Sequence, residues 1–136
     1  MTESEIDPVA DFLASGPYAV AGVSKDRAKY GNKVLRSYLQ AGREVYGIHP
    51  RETEVEGVAC FPNLAALPKL PRGLSIVTPA EVTERLVEEA ATLGVTRLWM
   101  QPGAESPQAI RRARELGLSV IAEGPCLLVA LRFRER

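Results

Sequence analysis

The residues best suited to chemistry follow a short apolar run, Tyr18-Ala-Val-Ala, and read Gly22-Val23-Ser24-Lys25-Asp26-Arg27-Ala28-Lys29-Tyr30-Gly31-Asn32-Lys33. Gly22 lets a backbone approach a ligand closely and Ser24 offers a hydroxyl donor. The helix that follows would turn its free N–H groups and positive dipole end toward the same space. Such a loop suits an anion. Four cations, Lys25, Arg27, Lys29 and Lys33, face one acid, Asp26. The ten positions from Ser24 to Lys33 therefore carry +3 in a chain whose seventeen Lys and Arg balance seventeen Asp and Glu. The alternative for Arg27 and Lys29 is an ordinary solvated loop.

What is missing narrows the anion. The dinucleotide fingerprint GxGxxG needs three glycines around the first turn, yet Val23 and Ser24 follow Gly22 and the next glycine is Gly31. A dinucleotide enzyme would also end its second strand in an Asp or Glu for the adenosine ribose. Here that strand ends His49-Pro50-Arg51, and the cationic Arg51 suits a phosphate. An ordinary NAD site is argued against, and a phosphate-bearing adenosine fits better. The P-loop pattern GxxxxGK[ST] is absent as well.

Few other residues invite a catalytic reading. His49 is the chain's one histidine and has no carboxylate beside it in sequence, so it is read as a border of the ligand site or as neither ligand nor base. Cys60 in Val-Ala-Cys-Phe reads as a small hydrophobe. Cys126 divides between core packing and a thiol on the ligand edge. Trp99, between Leu98 and Met100, reads as core. Glu81, Glu84, Glu88 and Glu89 with Arg85 read as the solvated face of a helix, and residues 132–136 as a frayed end. One histidine and two cysteines give no nucleophile, base and orienter set, so the chain is expected not to be an enzyme. Cysteine spacing gives neither a zinc nor a disulfide framework.

These residues must be positioned by elements, and the chain alternates helical stretches with short β-rich runs. Helices are expected from Pro8 to Ala14, from about Lys33 to Ala41, from Thr78-Pro79 to Gly94 and from Ser106-Pro107 to Gly117, each with Gly at its stop. Strands are expected at Tyr18 to Gly22, Glu44 to Ile48, Leu74 to Val77, Val95 to Met100 and Leu118 to Ala122, with a short helical turn after Asn63. Runs such as Leu-Ser-Ile-Val are apolar on both faces, as in a parallel sheet covered on both sides. The expected fold is α/β, a doubly wound Rossmann-like domain of about five parallel strands with helices on both faces, filling residues 1–136 as one domain. Ligands of such sheets bind beyond the strands' C-terminal ends at the switch point. The balanced charge calls for neither nucleic acid nor membrane surface, and no apolar run approaches the about 18 residues that span a bilayer. The acidic start, MTESEIDPVADF, lacks a signal-peptide layout, so a cytoplasmic location is expected.

A family resemblance rests on several of these stretches together. Strand-Gly22-Val23-Ser24, then Lys29-Tyr30-Gly31 opening a helix, then Val45-Tyr46-Gly47-Ile48-His49-Pro50, then Glu54-Val55-Glu56-Gly57-Val58-Ala59-Cys60-Phe61-Pro62-Asn63-Leu64 resemble the small CoA-binding proteins. Their fold is similar to the CoA-binding domain of the succinyl-CoA synthetase alpha subunit. The resemblance implies a diphosphate loop on Gly22, Val23, Ser24 and Lys25, closed over by Arg27 and Tyr30. It places His49 and Pro50 beside the adenine and Arg51, a lysine in the synthetase, near the adenosine phosphates. Thr78-Pro79 would pack against adenine and pantetheine, Gln101 would form another wall of the groove, and Cys126 matches a cysteine after the family's last strand. His49 stands where the family more often has Asn, and Glu123-Gly124-Pro125-Cys126 departs from its acidic-Arg-Cys pattern. The expected cofactor and partner is coenzyme A or an acyl-CoA, held without chemistry, with a homo-oligomer left open and no protein partner indicated. The alternative is a CoA- or nucleotide-dependent enzyme, a ligase component or an NAD(P)-dependent reductase.

Overall fold

A computed structural model of the chain describes residues 7–135; the acidic opening at residues 1–6 and Arg136 lie outside it. The sheet contains seven strands: β1 Tyr18–Ala21, β2 Val45–Ile48, β3 Glu54–Val55, β4 Val58–Phe61, β5 Gly73–Ile76, β6 Arg97–Met100 and β7 Ser119–Ile121. Their spatial order is β3-β4-β2-β1-β5-β6-β7, with β3 antiparallel to β4 and every other pair parallel. The doubly wound Rossmann-like α/β fold is therefore present, with seven strands rather than about five.

The two extra strands escape a reading by length and alternation because they are joined by two residues, Glu56 and Gly57, both at positive φ (53° and 77°). Such a hairpin turn favours Asn or Gly at its first position, and a glutamate there hides the signal. β4 then pairs with β2 through Gly47 and Cys60. A Cβ at residue 47 would lie 2.5 Å from the Cys60 sulfur, so the strand needs glycine to admit it.

Successive residues of the central strands serve opposite faces. Tyr18, Val20 and Trp99 point to a core built with Phe12, Val34, Leu35, Tyr38 and Leu127. Ala19, Ala21, Leu74, Ile76, Leu98 and Met100 point to a second core with Leu86, Val87, Ala90, Ile110 and Ala113. The first core is covered by α1 (Pro8–Leu13), α2 (Tyr30–Gln40) and the short α5 (Leu127–Ala130), the second by α3 (Ala80–Leu93) and α4 (Pro107–Glu115). Two caps act as their residue types require: Asp7 Oδ1 accepts from the Val9 amide at 3.0 Å, and Ser106 Oγ from the Ala109 amide at 3.0 Å. α2 begins at Tyr30, three residues before the expected start.

The C-terminal segment is docked rather than frayed. The Gln40 carboxamide makes reciprocal hydrogen bonds with the Arg134 backbone (2.7 and 3.0 Å), and Glu135 pairs with Arg36 at 3.0 Å. The Arg36 guanidinium also lies 5.1 Å from the centre of the Phe133 ring. Among the described residues no helix is long and apolar enough to cross a membrane.

An aromatic stack fills the α2 side of β1. Phe12 meets Trp99 edge-on at 5.2 Å, and Tyr18 stacks on Tyr38 at 4.8 Å. The fully buried Tyr38 hydroxyl shares a 2.5 Å hydrogen bond with Ser75 Oγ, and burial holds its phenol neutral by pushing its pKa up. Tyr38→Phe leaves a buried serine hydroxyl alone and is expected to cost about 1–3 kcal/mol in urea denaturation. The Tyr38→Phe/Ser75→Ala double variant is expected to recover most of that loss. Strict additivity of the two single losses would show that the hydroxyls do not act as a pair.

Candidate functional site

β1 is the switch point of this sheet: the chain passes to β2 on one side and later returns to β5 on the other. Register brings Ala21, Ile48 and Ile76 to one level, so the next residues, Gly22, His49 and Val77, form a common rim. Two cavities of about 440 Å³ each open there and share Gly22, His49 and Thr78. The one on the α3 side is mostly apolar and runs along Ile48, Pro50, Pro62, Val82 and Leu86. The one on the α2 side runs along Val23, Ser24, Lys29, Tyr30, Gly31 and Pro79. Through these shared residues they make a groove across the sheet's C-terminal edge.

Backbone geometry at the centre of the groove admits only glycine at two positions. Gly22 has φ +94°, and a Cβ on it would lie 2.7 Å from the Val77 carbonyl oxygen. A Cβ at residue 31 would lie 2.0 Å from the Gly22 carbonyl oxygen, so the first turn of α2 rests directly on the end of β1. Gly31 is thus a close-approach glycine that the GxGxxG template does not find, because it lies nine positions after Gly22 rather than two. Between them the loop is tied from beneath. Asn32 Nδ2 donates to the Ser24 carbonyl at 2.8 Å, and Arg36 donates through Nη2 to the Arg27 carbonyl at 2.8 Å and through Nε to Asn32 Oδ1 at 2.7 Å. Both side chains are buried, and sequence reading missed them because Asn32 falls in the loop before the expected helix and a charged residue such as Arg36 on an amphipathic helix reads as solvent-facing.

The predicted site residues fall into three groups. Gly22, Val23, Ser24, Tyr30, His49, Pro50, Thr78 and Pro79 line the groove. Ser24 Oγ accepts from the Asp26 amide at 3.1 Å, which leaves its own hydroxyl proton to donate. His49 Nδ1 accepts from the amides of Arg51 (3.0 Å) and Glu52 (2.9 Å), so Nε2 carries the ring proton and the imidazole shapes the turn after β2. Lys25, Arg27 and Arg51 are exposed beside the groove without lining it: Lys25 pairs with Glu52 at 2.9 Å, and Arg27 with Glu56. The Lys25 bond holds the Glu52 carboxyl below its usual range, and the hydrogen bonds from Asn32 and then from Arg27 do the same for Glu56.

Gln101 and Cys126 sit behind the groove. Gln101 is fully buried and its Oε1 accepts from the Leu127 amide at 3.0 Å, anchoring α5, so it is a support and not a wall. Cys126 Sγ contacts the Tyr30 hydroxyl, whose phenol is raised above its ordinary pKa by burial and by that contact. Cys60 is buried, as a small hydrophobe would be, and its thiol is likewise raised by burial. The acids of α3 do more than face solvent: Glu89 accepts from the Leu64 amide at 3.0 Å and lines the apolar cavity, while Glu84 accepts from the Ser106 hydroxyl at 2.9 Å. Among the described residues no group of three or more His, Cys, Asp or Glu is placed to hold a metal ion.

A doubly wound sheet with a glycine-lined loop at its switch point defines the Rossmann-like class of α/β domains. Within that class, residues 17–132 match the model of the CoA binding domain, and the chain belongs to that family. Over 71 residues it is 31% identical to an ADP-forming acetate–CoA ligase I of Archaeoglobus fulgidus, a match covering 52% of this chain and 10% of the ligase. The chain therefore spans about a tenth of that curated relative's length. Among solved structures, a conserved hypothetical protein of Pyrococcus furiosus is 36% identical with a TM-score of 0.78, covering 83% of this chain and 97% of its own. A dinucleotide-forming acetyl-coenzyme A synthetase 1 of Ca. Korarchaeum cryptofilum, in complex with phosphate and ADP, is 28% identical with a TM-score of 0.73, covering 85% of this chain and 27% of its own.

The Gly22–Gly31 contact predicts an asymmetry between glycines. Gly31→Ala must separate α2 from β1 and is expected to lose about 3 kcal/mol, the upper range for overpacking a tight site. Gly57→Ala keeps an open space around its Cβ and incurs only the left-handed backbone cost of about 1–2 kcal/mol. Urea midpoints of the two variants compare them directly; an equal or smaller loss at Gly31 would contradict the contact.

Proposed function

We propose that the chain is a single-domain module that holds CoA or an acyl-CoA along this groove and performs no chemistry on it. The observation that carries this reading is the paired cavity at the switch point of a CoA-binding-family fold, mostly apolar on one side of Gly22 and about half polar on the other. The diphosphate lies against Gly22, Val23 and Ser24 at the start of α2, where a backbone without Cβ atoms and the Ser24 hydroxyl meet it. The adenine takes the apolar cavity bordered by His49 and Pro50, and Thr78-Pro79 packs against adenine and pantetheine. Arg51 reaches the ribose phosphate from the end of β2, and the Cys126 thiol stands behind Tyr30 toward the cofactor's own thiol. A second reading, a component of a CoA ligase, is favoured by the match to the ADP-forming acetate–CoA ligase. Turnover of an acyl-CoA on incubation with nucleotide and phosphate would support it.

Calorimetry with CoA and NAD tests the principal reading. CoA is expected to bind more tightly, because the groove has a phosphate loop but no acidic residue ending β2 for a dinucleotide's ribose. Ser24→Leu is expected to abolish CoA binding in a protein that remains folded by circular dichroism. Tighter NAD binding, or unchanged CoA affinity in the folded Ser24 variant, would reject the placement.

A second expectation concerns the ribose phosphate that distinguishes CoA from dephospho-CoA. Arg51 is exposed and can grip a phosphate through two parallel charge-assisted hydrogen bonds. Arg51→Ala is expected to lose about 1.5–3 kcal/mol with CoA, roughly ten- to a hundredfold in affinity, and almost nothing with dephospho-CoA. Equal losses for both ligands would place Arg51 on the diphosphate instead.

A further inference from the structure

The loop from Ser24 to Lys33 carries four cations, and the fold treats them differently. Lys25 is bonded to Glu52 at 2.9 Å, Arg27 to Glu56, and Lys33 lies 3.6 Å from Glu135. Glu56 is itself anchored, because its other oxygen accepts from the fully buried Asn32 amide at 3.2 Å. Lys29 differs on both counts. Among the described residues it has no carboxylate partner, and it lines the polar cavity between Ser24 and Gly31, which Lys25, Arg27 and Lys33 do not. Its backbone is fixed there by a 3.0 Å bond from its amide to the Asp26 carbonyl, immediately before the first turn of α2.

We infer that Lys29 is the loop cation that holds the ligand's diphosphate, while Lys25 and Arg27 are internal ties that fasten the segment carrying His49 and Pro50 to the loop. This rests on the CoA-binding reading above and assigns within it a residue that the sequence left open between anion contact and solvated loop. The physical reason is the difference between exchange and addition. An anion recruiting Arg27 leaves the fixed Glu56 carboxylate unpaired, so one ion pair replaces another with little net gain. An anion meeting Lys29 forms a new pair and displaces only water. Lysine suits the task because its flexible stem follows either phosphate of a diphosphate as a point charge.

Calorimetric titration with CoA, at low and at raised salt, reads the division of labour. Lys29→Gln is expected to weaken CoA about tenfold and to flatten the salt dependence, since an exposed charge contact is the kind that salt screens. Lys29→Arg, which keeps the charge, is expected to retain most of the affinity. Arg27→Gln and Lys25→Gln are expected to change it by less than about threefold. Wild-type affinity in Lys29→Gln, or a larger loss in Arg27→Gln than in Lys29→Gln, overturns the assignment. If the wild type takes up no CoA, the functional reading itself fails, and inorganic pyrophosphate then serves as the probe. Pyrophosphate binding that disappears in Lys29→Gln upholds the role of Lys29, and a wild type that binds no pyrophosphate overturns it.

Discussion

A Cβ on residue 31 would need the space that the Gly22 carbonyl oxygen occupies, and one on residue 22 would collide with the Val77 carbonyl. Three backbones therefore meet at the end of β1 with no side chain between them. Because β1 is central and β2 and β5 flank it in register, this meeting sets the height of the rim from which the candidate site is built. The loop between the two glycines has little freedom left. Asn32 and Arg36, buried in the first two turns of α2, hold its carbonyls from below, and such buried polar bonds are strong organisers of backbone.

The same constraint explains why the groove is two-sided. A parallel sheet sends its crossovers to both faces, and at the switch point the chain departs in opposite directions, leaving a crevice that no loop fills. On the α3 side, Val82 and Leu86 continue the second core outward, so the cavity there is apolar. On the α2 side, the helix presents its start, with Ser24, Lys29 and Tyr30, so the cavity is more polar. The chain belongs to the CoA binding domain family, and the proposed placement of the cofactor follows that division.

Charge is redistributed by folding. A loop that counts +3 along the chain meets Glu52 and Glu56 from the β2–β4 connection and Glu135 from the C-terminal segment. The pairs join segments far apart in sequence, so the C-terminal segment, α2, the loop after β1 and the β3–β4 turn become one connected polar layer through Arg36 and Asn32. Each exposed pair contributes little stability by itself. Their consequence is one of placement, since they decide which cations face the groove and which face carboxylates.

Local pattern was enough to determine the α/β class, five of the strands, the helices that start at Pro8, after Pro79 and at Pro107, and the position of the Gly22 loop at the end of the first strand. Each of these follows from interactions within a few residues: helix caps, apolar runs and glycine stops. The β3–β4 hairpin was hidden because Glu56 adopts a left-handed conformation that its residue type does not advertise. The C-terminal segment read as loose because its partners, Gln40 and Arg36, lie nearly a hundred residues away. Gln101 read as a groove wall because a strand-end position does not say whether a side chain turns outward or, as here, inward to α5. Tertiary structure alone decided the close approach of Gly31, the burial of Asn32 and Arg36, and which loop cations meet carboxylates. Those outcomes depend on distances between segments that the order of residues along the chain does not contain.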